Sequence, residues 1–279
     1  MREQSMHKLE GSSDMRIAIV GLGAVGKSLA SALDAGMPGM RLVAVATRSE
    51  ITTQTYLKTL RNTVSSVAIE ELPEVADLII ECAPAHLLPT IAEPVLKAGK
   101  TLVVLSVGAL LSNTHLIRLA EQFNGRILVP SGAVGGLDII AAAAEGTIHT
   151  VKLVTRKPMQ SLTRAVGFIE QGIPTEEMTI PVCVFSGTAR QAVMAFPANI
   201  NVAATLALAG IGGDRTVVEI WADPQAQCIT HQIEIDSDIA NIKLTIMNRP
   251  SDNPRTSRIV APSVIALLKK IRAPLRIGC

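Results

Sequence analysis

Gly21-Leu22-Gly23-Ala24-Val25-Gly26 follows the apolar run Arg16–Val20 directly and leads into a stretch of helix formers. In that setting a GxGxxG spacing reads as a cradle for a pyrophosphate. Each glycine answers a separate demand. Gly21 permits the tight turn, Gly23 lets the backbone approach the phosphates, with Ala24 and Val25 behind it, and Gly26 allows close helix–strand packing. A helix opening there also turns its N–H groups and positive partial charge toward the anion. About twenty residues on, an NAD-preferring fold carries a carboxylate for the ribose 2′-hydroxyl. Here the second apolar run ends Ala46-Thr47-Arg48, and Glu50 comes two residues late. Thr47 and Arg48 are therefore expected to hold a 2′-phosphate, with NADP accepted at least as well as NAD.

Two further loops follow apolar runs, where a doubly wound fold binds ligands. They are Glu81-Cys82-Ala83-Pro84 and Ser106-Val107-Gly108-Ala109. The small residues Cys82, Ala83, Ser106 and Gly108 would let a nicotinamide ribose lie against backbone. Cys82 has no Arg, Lys or helix start placed to lower its pKa, so it reads as a small buried filler and not a nucleophile. Hydride chemistry also needs a proton carrier near neutral pH, and imidazole suits best. Of five histidines, His7 lies in the polar start, and His86 and His115 open helical stretches. His149 falls within a strand, and His231 starts the strand HQIEI after a loop. On residue chemistry alone, His231 stands level with an ordinary satisfied histidine.

The elements that must position these residues can be read from periodicity. Apolar runs at Arg16–Val20, Arg41–Thr47, Leu78–Glu81, Thr101–Leu105 and Ile127–Val129 alternate with helical stretches such as Gly26–Leu33 and Leu87–Ala98, which means βαβ units. The runs are apolar throughout, as strands covered on both faces must be. After Pro130 comes a glycine turn, Ser131–Gly136, then an expected helix over Leu137–Gly146 and a strand over Thr147–Thr155. Helices are expected at Gly187–Met194 and Asn199–Ala209, and strands at Thr216–Ala222 and Thr230–Ile235. A last amphipathic segment, carrying Ile259, Val260, Val264, Leu268 and Ile271, is expected to return to the first lobe. The fold class is thus α/β: an N-terminal Rossmann-type doubly wound parallel sheet plus a second α+β domain. The expected division is a flexible tail at 1–14, a dinucleotide domain at 15–130 completed by 251–279, and a catalytic and dimerisation domain at 131–250.

Composition removes whole classes of function. Lys and Arg number 26 against 24 Asp and Glu, too even a balance for a general grip on nucleic acid or anionic lipid. Four Phe, one Trp and one Tyr are too few for a base-stacking platform. Asn201, Thr205 and glycines interrupt the richest apolar segment before it reaches membrane-spanning length, so no membrane partner is expected. Cys82, Cys183, Cys228 and Cys279 form no CxxC pair, which argues against a zinc knuckle or disulfide framework and makes a reducing cytoplasm the simplest home. No metal site is expected.

GLGAVG, ECAPAHLLP, SVGALL, PSGAVGGLD, FPANINVAATLALAGIG, ADP followed by a histidine, and NRPSDNPRTS occur in that order. Together they closely resemble the L-aspartate dehydrogenase family, from Met15 to Ile271. The resemblance implies a homodimeric two-domain enzyme that oxidises L-aspartate to iminoaspartate with NAD or NADP, and in reverse aminates oxaloacetate with ammonia. Carried over, the catalytic histidine falls on His231, and second-domain cofactor contacts fall on the backbone of Ala133 and on Asn201. A dicarboxylate substrate also needs cations. Lys157 at a strand end is the leading candidate, ahead of Arg249 and Arg255, with Asn199 and Thr188 for neutral hydrogen bonds. Two departures stand out: Cys228 where the family usually has Asn, and Asp236-Ser237-Asp238-Ile239-Ala240 in place of a glycine-phenylalanine-glycine turn. Both put the shape of the loop around His231 in question. Other readings are an oxidoreductase similar to homoserine dehydrogenase or dihydrodipicolinate reductase, and a dinucleotide sensor without turnover.

Overall fold

A computed structural model describes residues 14–159, 179–196, 200–249 and 257–278. The first domain runs β1 (Met15–Val20), α1 (Ala24–Asp34), β2 (Met40–Ala46), α2 (Glu50–Leu57), β3 (Ser65–Ser66), α3 (Leu72–Val75), β4 (Leu78–Glu81), α4 (Leu88–Lys97), β5 (Thr101–Val104), α5 (Val107–Ser112), α6 (His115–Gln122) and β6 (Arg126–Leu128). Its six strands are all parallel, in the order β3-β2-β1-β4-β5-β6. That order reverses beside β1, and the crevice above such a reversal is where open α/β sheets bind ligands. The apolar runs are explained by two-sided burial. Ile17 and Ile19 of β1 enter one core, while Ala18 and Val20 enter the core on the opposite face. Helix α1 closes the first of these with Gly26, Leu29, Ala30 and Leu33, a single helical stripe.

The second domain comprises α7 (Leu137–Ala144), β7 (Ile148–Pro158), β8 (Val182–Thr188), α8 (Ala189–Ala195), α9 (Asn201–Ala209), β9 (Thr216–Asp223), β10 (Thr230–Ser237) and β11 (Asn241–Met247). Its sheet is mixed, ordered β11-β10-β7-β9-β8, with β7 and β9 parallel and the other pairs antiparallel. Strands β8 and β11 were not foreseen. They are the edge strands of the sheet and partly exposed, so their apolar content is diluted. The expected helix from Gly187 begins at Ala189, because Gly187 and Thr188 complete β8 and Thr188 then caps the helix.

Alternation sets the inner face of this sheet. Val151 and Leu153 on β7, Val218 and Ile220 on β9, and Ile233 and Ile235 on β10 pack with α7, α8 and α9 in one core. A one-residue slip of β10 would expose both isoleucines, at roughly 2 kcal/mol each, so the register is firmly held. Two elements join the domains. Helix α5 sends Val107 and Leu111 into the second core and Leu110 into the first. The last helix, α10 (Val260–Arg272), returns to the first domain and buries Ala261, Val264 and Leu268 against the core of β1 and α1.

Candidate active site between the two sheets

The carboxyl ends of β4 and β5 face the polar end of the second sheet across a cavity of about 350 Å³. At its edge stands the glycine loop. Gly21 has φ +92°, and a Cβ there would lie 2.6 Å from the Cys82 carbonyl oxygen. A Cβ on Gly26 would meet the Gly21 carbonyl oxygen at 2.0 Å. On Gly23 it would project into open space. The first and last glycines are therefore demanded by the protein's own backbone, and the middle one by whatever approaches from outside. Helix α1 starts at Ala24 with no side-chain cap and no acidic residue in its first turn, which suits an incoming phosphate. The loop thus fits the pyrophosphate of a dinucleotide. Gly21 N–H donates to Ala46 O at 2.8 Å, which sets Thr47 and exposed Arg48 beside the loop and outside the cavity. The Thr47 hydroxyl bonds to that of Thr53.

Glu81, the last residue of β4, was read from sequence only as the junction between a strand and the loop after it. Its carboxyl is fully buried and collects four hydrogen bonds. Ala83 N–H and the Ser106 hydroxyl donate to Oε1 at 3.0 and 2.9 Å, and Leu105 N–H and Ser106 N–H donate to Oε2 at 3.1 and 2.9 Å. Burial raises its pKa, and the donors from Ser106, Leu105 and Ala83 pull the other way. Structurally it staples together the two loops that carry Cys82, Ala83 and Ser106, all of which line the cavity. The signal in the sequence was a charged residue ending the all-apolar run Leu78–Ile80. Burial, helped by the neighbouring Glu81, pushes the Cys82 thiol above its ordinary range, as expected of a filler.

The opposite wall is the polar end of the second sheet. Continuing the apolar rows of its inner face, β7 presents Thr155 and Lys157 and β10 presents His231, all three buried. His231 and Thr155 are cross-strand partners, with Oγ1 and Nδ1 3.0 Å apart. Burial first, and the charge of Lys157 second, lower the His231 pKa to about 4. Burial lowers that of Lys157 to about 8. His231 and Lys157 share the cavity with Ala133 and Asn201. Asn201 Oδ1 accepts from Gly108 N–H at 3.1 Å, so the start of α9 is tied to the start of α5. Gly132 N–H donates to Ser263 Oγ at 3.2 Å, which fastens the glycine turn to α10.

Not every expected residue arrives. Thr188 accepts from Gln191 N–H at 3.2 Å as the cap of α8. It pairs with Val217, whereas Lys157 pairs with Ala222, so five residues of β9 separate them. At strand spacing that is about 17 Å, because β8 runs antiparallel and turns its start, not its end, toward the cavity. Arg249 is exposed and does not line the cavity. Asn199 and Arg255 lie outside the described residues. The variant turn at Asp236–Ala240 is the β10–β11 hairpin, which begins five residues along β10 from His231 and so about 17 Å away. It leaves the cavity untouched. Cys228 is the nearer departure, since the following Ile229 does line the cavity.

Two family models match: "Aspartate dehydrogenase, C-terminal" over residues 138–271 and "Homoserine dehydrogenase, NAD binding domain" over residues 21–130. An L-aspartate dehydrogenase of Bradyrhizobium diazoefficiens is 49% identical over 267 residues, which cover 96% of this chain and 95% of the relative. The chain belongs to the L-aspartate dehydrogenase family. L-Aspartate dehydrogenase 3 of Bordetella bronchiseptica is 48% identical, over 97% of this chain and 100% of its own. The crystal structure of the Thermotoga maritima aspartate dehydrogenase superposes with TM-score 0.73 at 23% identity, covering 95% of this chain and 99% of that one, so the two share a fold. As a member of this family the chain is an NAD(P)-dependent amino-acid dehydrogenase.

Proposed function

We propose that the chain interconverts L-aspartate with iminoaspartate, and so with oxaloacetate and ammonia, using NADP at least as readily as NAD. The observation carrying this reading is that buried His231 and Lys157 share one cavity with the two loops stapled by Glu81. In the proposed arrangement Gly21, Gly23, Ala24, Val25 and Gly26 hold the pyrophosphate, and Thr47 and Arg48 the 2′-phosphate. Cys82, Ala83, Ser106, Gly108, the Ala133 backbone and Asn201 frame the nicotinamide end. When bound, the nicotinamide supplies the hydride acceptor. Lys157 holds a substrate carboxylate. Neutral His231 takes a proton from the water that adds to the imine carbon, and returns it as the C–N bond breaks and ammonia leaves. The dicarboxylate also offsets the Lys157 charge, which raises the basicity of His231 when the substrate is in place.

The partners in this reading are small molecules and a second copy of the chain, in the cytoplasm, with no nucleic acid or membrane. Among the described residues no helix is long and apolar enough to cross a bilayer. The test is NADPH oxidation with ammonium and oxaloacetate, 2-oxoglutarate or pyruvate, with His231→Ala as control. Turnover on oxaloacetate alone is expected. Cofactor binding without turnover on any oxo acid would instead mark a sensor, and a preference for another acid would mark a relative with altered specificity.

A further inference from the structure

We propose that Thr155 is a positioning residue that fixes the ring orientation and tautomer of His231. The inference rests on the proton-carrier reading of His231 but concerns a residue that reading does not use. Thr155 and His231 come from strands paired in register, with 5% and 6% of their surfaces exposed. On one side along this face lie the paired, fully buried Leu153 and Ile233, which offer the ring no polar partner, and on the other lies Lys157, whose ammonium is a donor with no lone pair to accept from Nδ1–H. Thr155 Oγ1, 3.0 Å from Nδ1, is therefore the anchor of the imidazole, and Nε2 is the nitrogen left for the cavity. A β-branched side chain is stiff at χ1, so the hydroxyl is a fixed point.

The chemistry of a hydroxyl suits this place. With Nδ1–H donating to Oγ1, Nε2 is bare and can accept a proton. Once it has done so, Nδ1–H still donates to the same oxygen, and nothing needs to reorganise. A carboxylate in this position would draw a proton onto the ring before substrate arrived. The titratable groups around the ring are Lys157 from β7 and, across the cavity, Glu81 and Cys82 from the end of β4. Lys157 opposes a proton on the free imidazole, and Thr155 is neutral toward it.

The test combines kinetics and spectroscopy on the full chain with NADP(H). Thr155→Val keeps shape and removes the hydroxyl. It is expected to lower kcat by about 10- to 100-fold, the usual size for losing the partner that orients a functional imidazole. The Kd for NADPH should stay within about twofold on the same reasoning. Thr155→Ser should restore kcat to within about fivefold, as only a hydroxyl-dependent role would. Ring ¹⁵N shifts of His231 near neutral pH should report hydrogen on Nδ1 in the wild type and in Thr155→Ser. A bare Nδ1 in the wild type overturns the proposal even if the valine variant does not fold. Unchanged kcat in Thr155→Val, or no recovery in Thr155→Ser, overturns it as well. A His231→Ala enzyme with full turnover would sink the proton-carrier reading itself, a separate result.

Discussion

The glycine loop and the polar end of the second sheet do comparable work by different construction. In the first, six consecutive residues, 21–26, create both the turn and the helix start, and the steric demands come from backbone: Gly26 against Gly21 within the loop, and Gly21 against Cys82 after β4. In the second, Thr155 and His231 lie 76 positions apart and meet only because two strands pair in register. The loop is a compact object that leaves no room for a side chain at its first and last glycines. The wall is a product of sheet register, anchored by apolar rows beneath it, and single polar residues on it can change without moving the backbone. Substitutions at Gly21 and Gly26 should therefore fail structurally, and those in the wall chemically.

The largest effect belongs to Gly26. Gly26→Val places a Cβ where the Gly21 carbonyl oxygen already lies, 2.0 Å away, and backbone cannot step aside as a side chain can. We expect loss of measurable cofactor binding and a thermal midpoint lower by several degrees, since overpacking costs about 1–3 kcal/mol or more. Gly23→Ala is its counterpart. The Cβ enters open space, so the midpoint should hold while NADPH binding weakens. A stable, cofactor-competent Gly26→Val would erase the contrast.

His231→Ala should show the opposite profile, a fall in kcat on the order of 10³-fold with the Kd for NADPH unchanged. Its stability effect has a defined sign. The fold buries the neutral ring and lowers its pKa from 6.5 to about 4. Between those values the unfolded chain takes up a proton that the native state refuses, so stability present above pH 6.5 is lost as pH falls toward 4. Thermal midpoints across that range should flatten in the alanine variant relative to wild type.

The same contrast governs what could be read in advance. The parallel sheet, the glycine loop and the return of the last helix follow from patterns confined to short windows: continuous apolar runs, one motif, one amphipathic stripe. His231 carried no such local mark, and family resemblance, not periodicity, singled it out. Thr155 and Glu81 escaped because their roles depend on partners far along the chain, across a strand pair for one and on a neighbouring loop for the other. Thr188 was misplaced for a related reason. Without β8 in view, nothing indicated that the chain runs away from the cavity before it reaches residue 188.

Lys157 tests whether the wall recognises charge. Succinate is a dicarboxylate that cannot react, and it stays fully ionised above neutral pH. Its Kd in the cofactor complex should rise about 100-fold in Lys157→Met at pH 7, as expected for removing one member of a buried charge pair. In the wild type, binding should weaken by up to about tenfold per pH unit above 8, where Lys157 gives up its proton, and the variant should show no such limb. A flat wild-type profile between pH 7 and 10 would assign the carboxylate to another cation.

The smallest effect lies at the far side of the glycine loop. Arg48 is exposed, and its only claim on a 2′-phosphate is its place at the end of β2, beside the loop that Gly21 ties to Ala46. An exposed cation held by no built pocket contributes modestly, so Arg48→Asp should shift the ratio of KM values for NADP and NAD by about tenfold toward NAD, while kcat with saturating NAD stays near wild type. The aspartate both removes the phosphate's partner and supplies an acceptor for the free 2′-hydroxyl, which makes the change in ratio larger than Arg48→Ala would give. Raising ionic strength should shrink the wild-type preference in the same direction, because screening acts on the doubly charged phosphate and leaves the hydroxyl unaffected. An NADP preference that survives both Arg48→Asp and added salt would move discrimination from Arg48 to Thr47 and the start of α2, a backbone-built site of the same kind as the glycine loop.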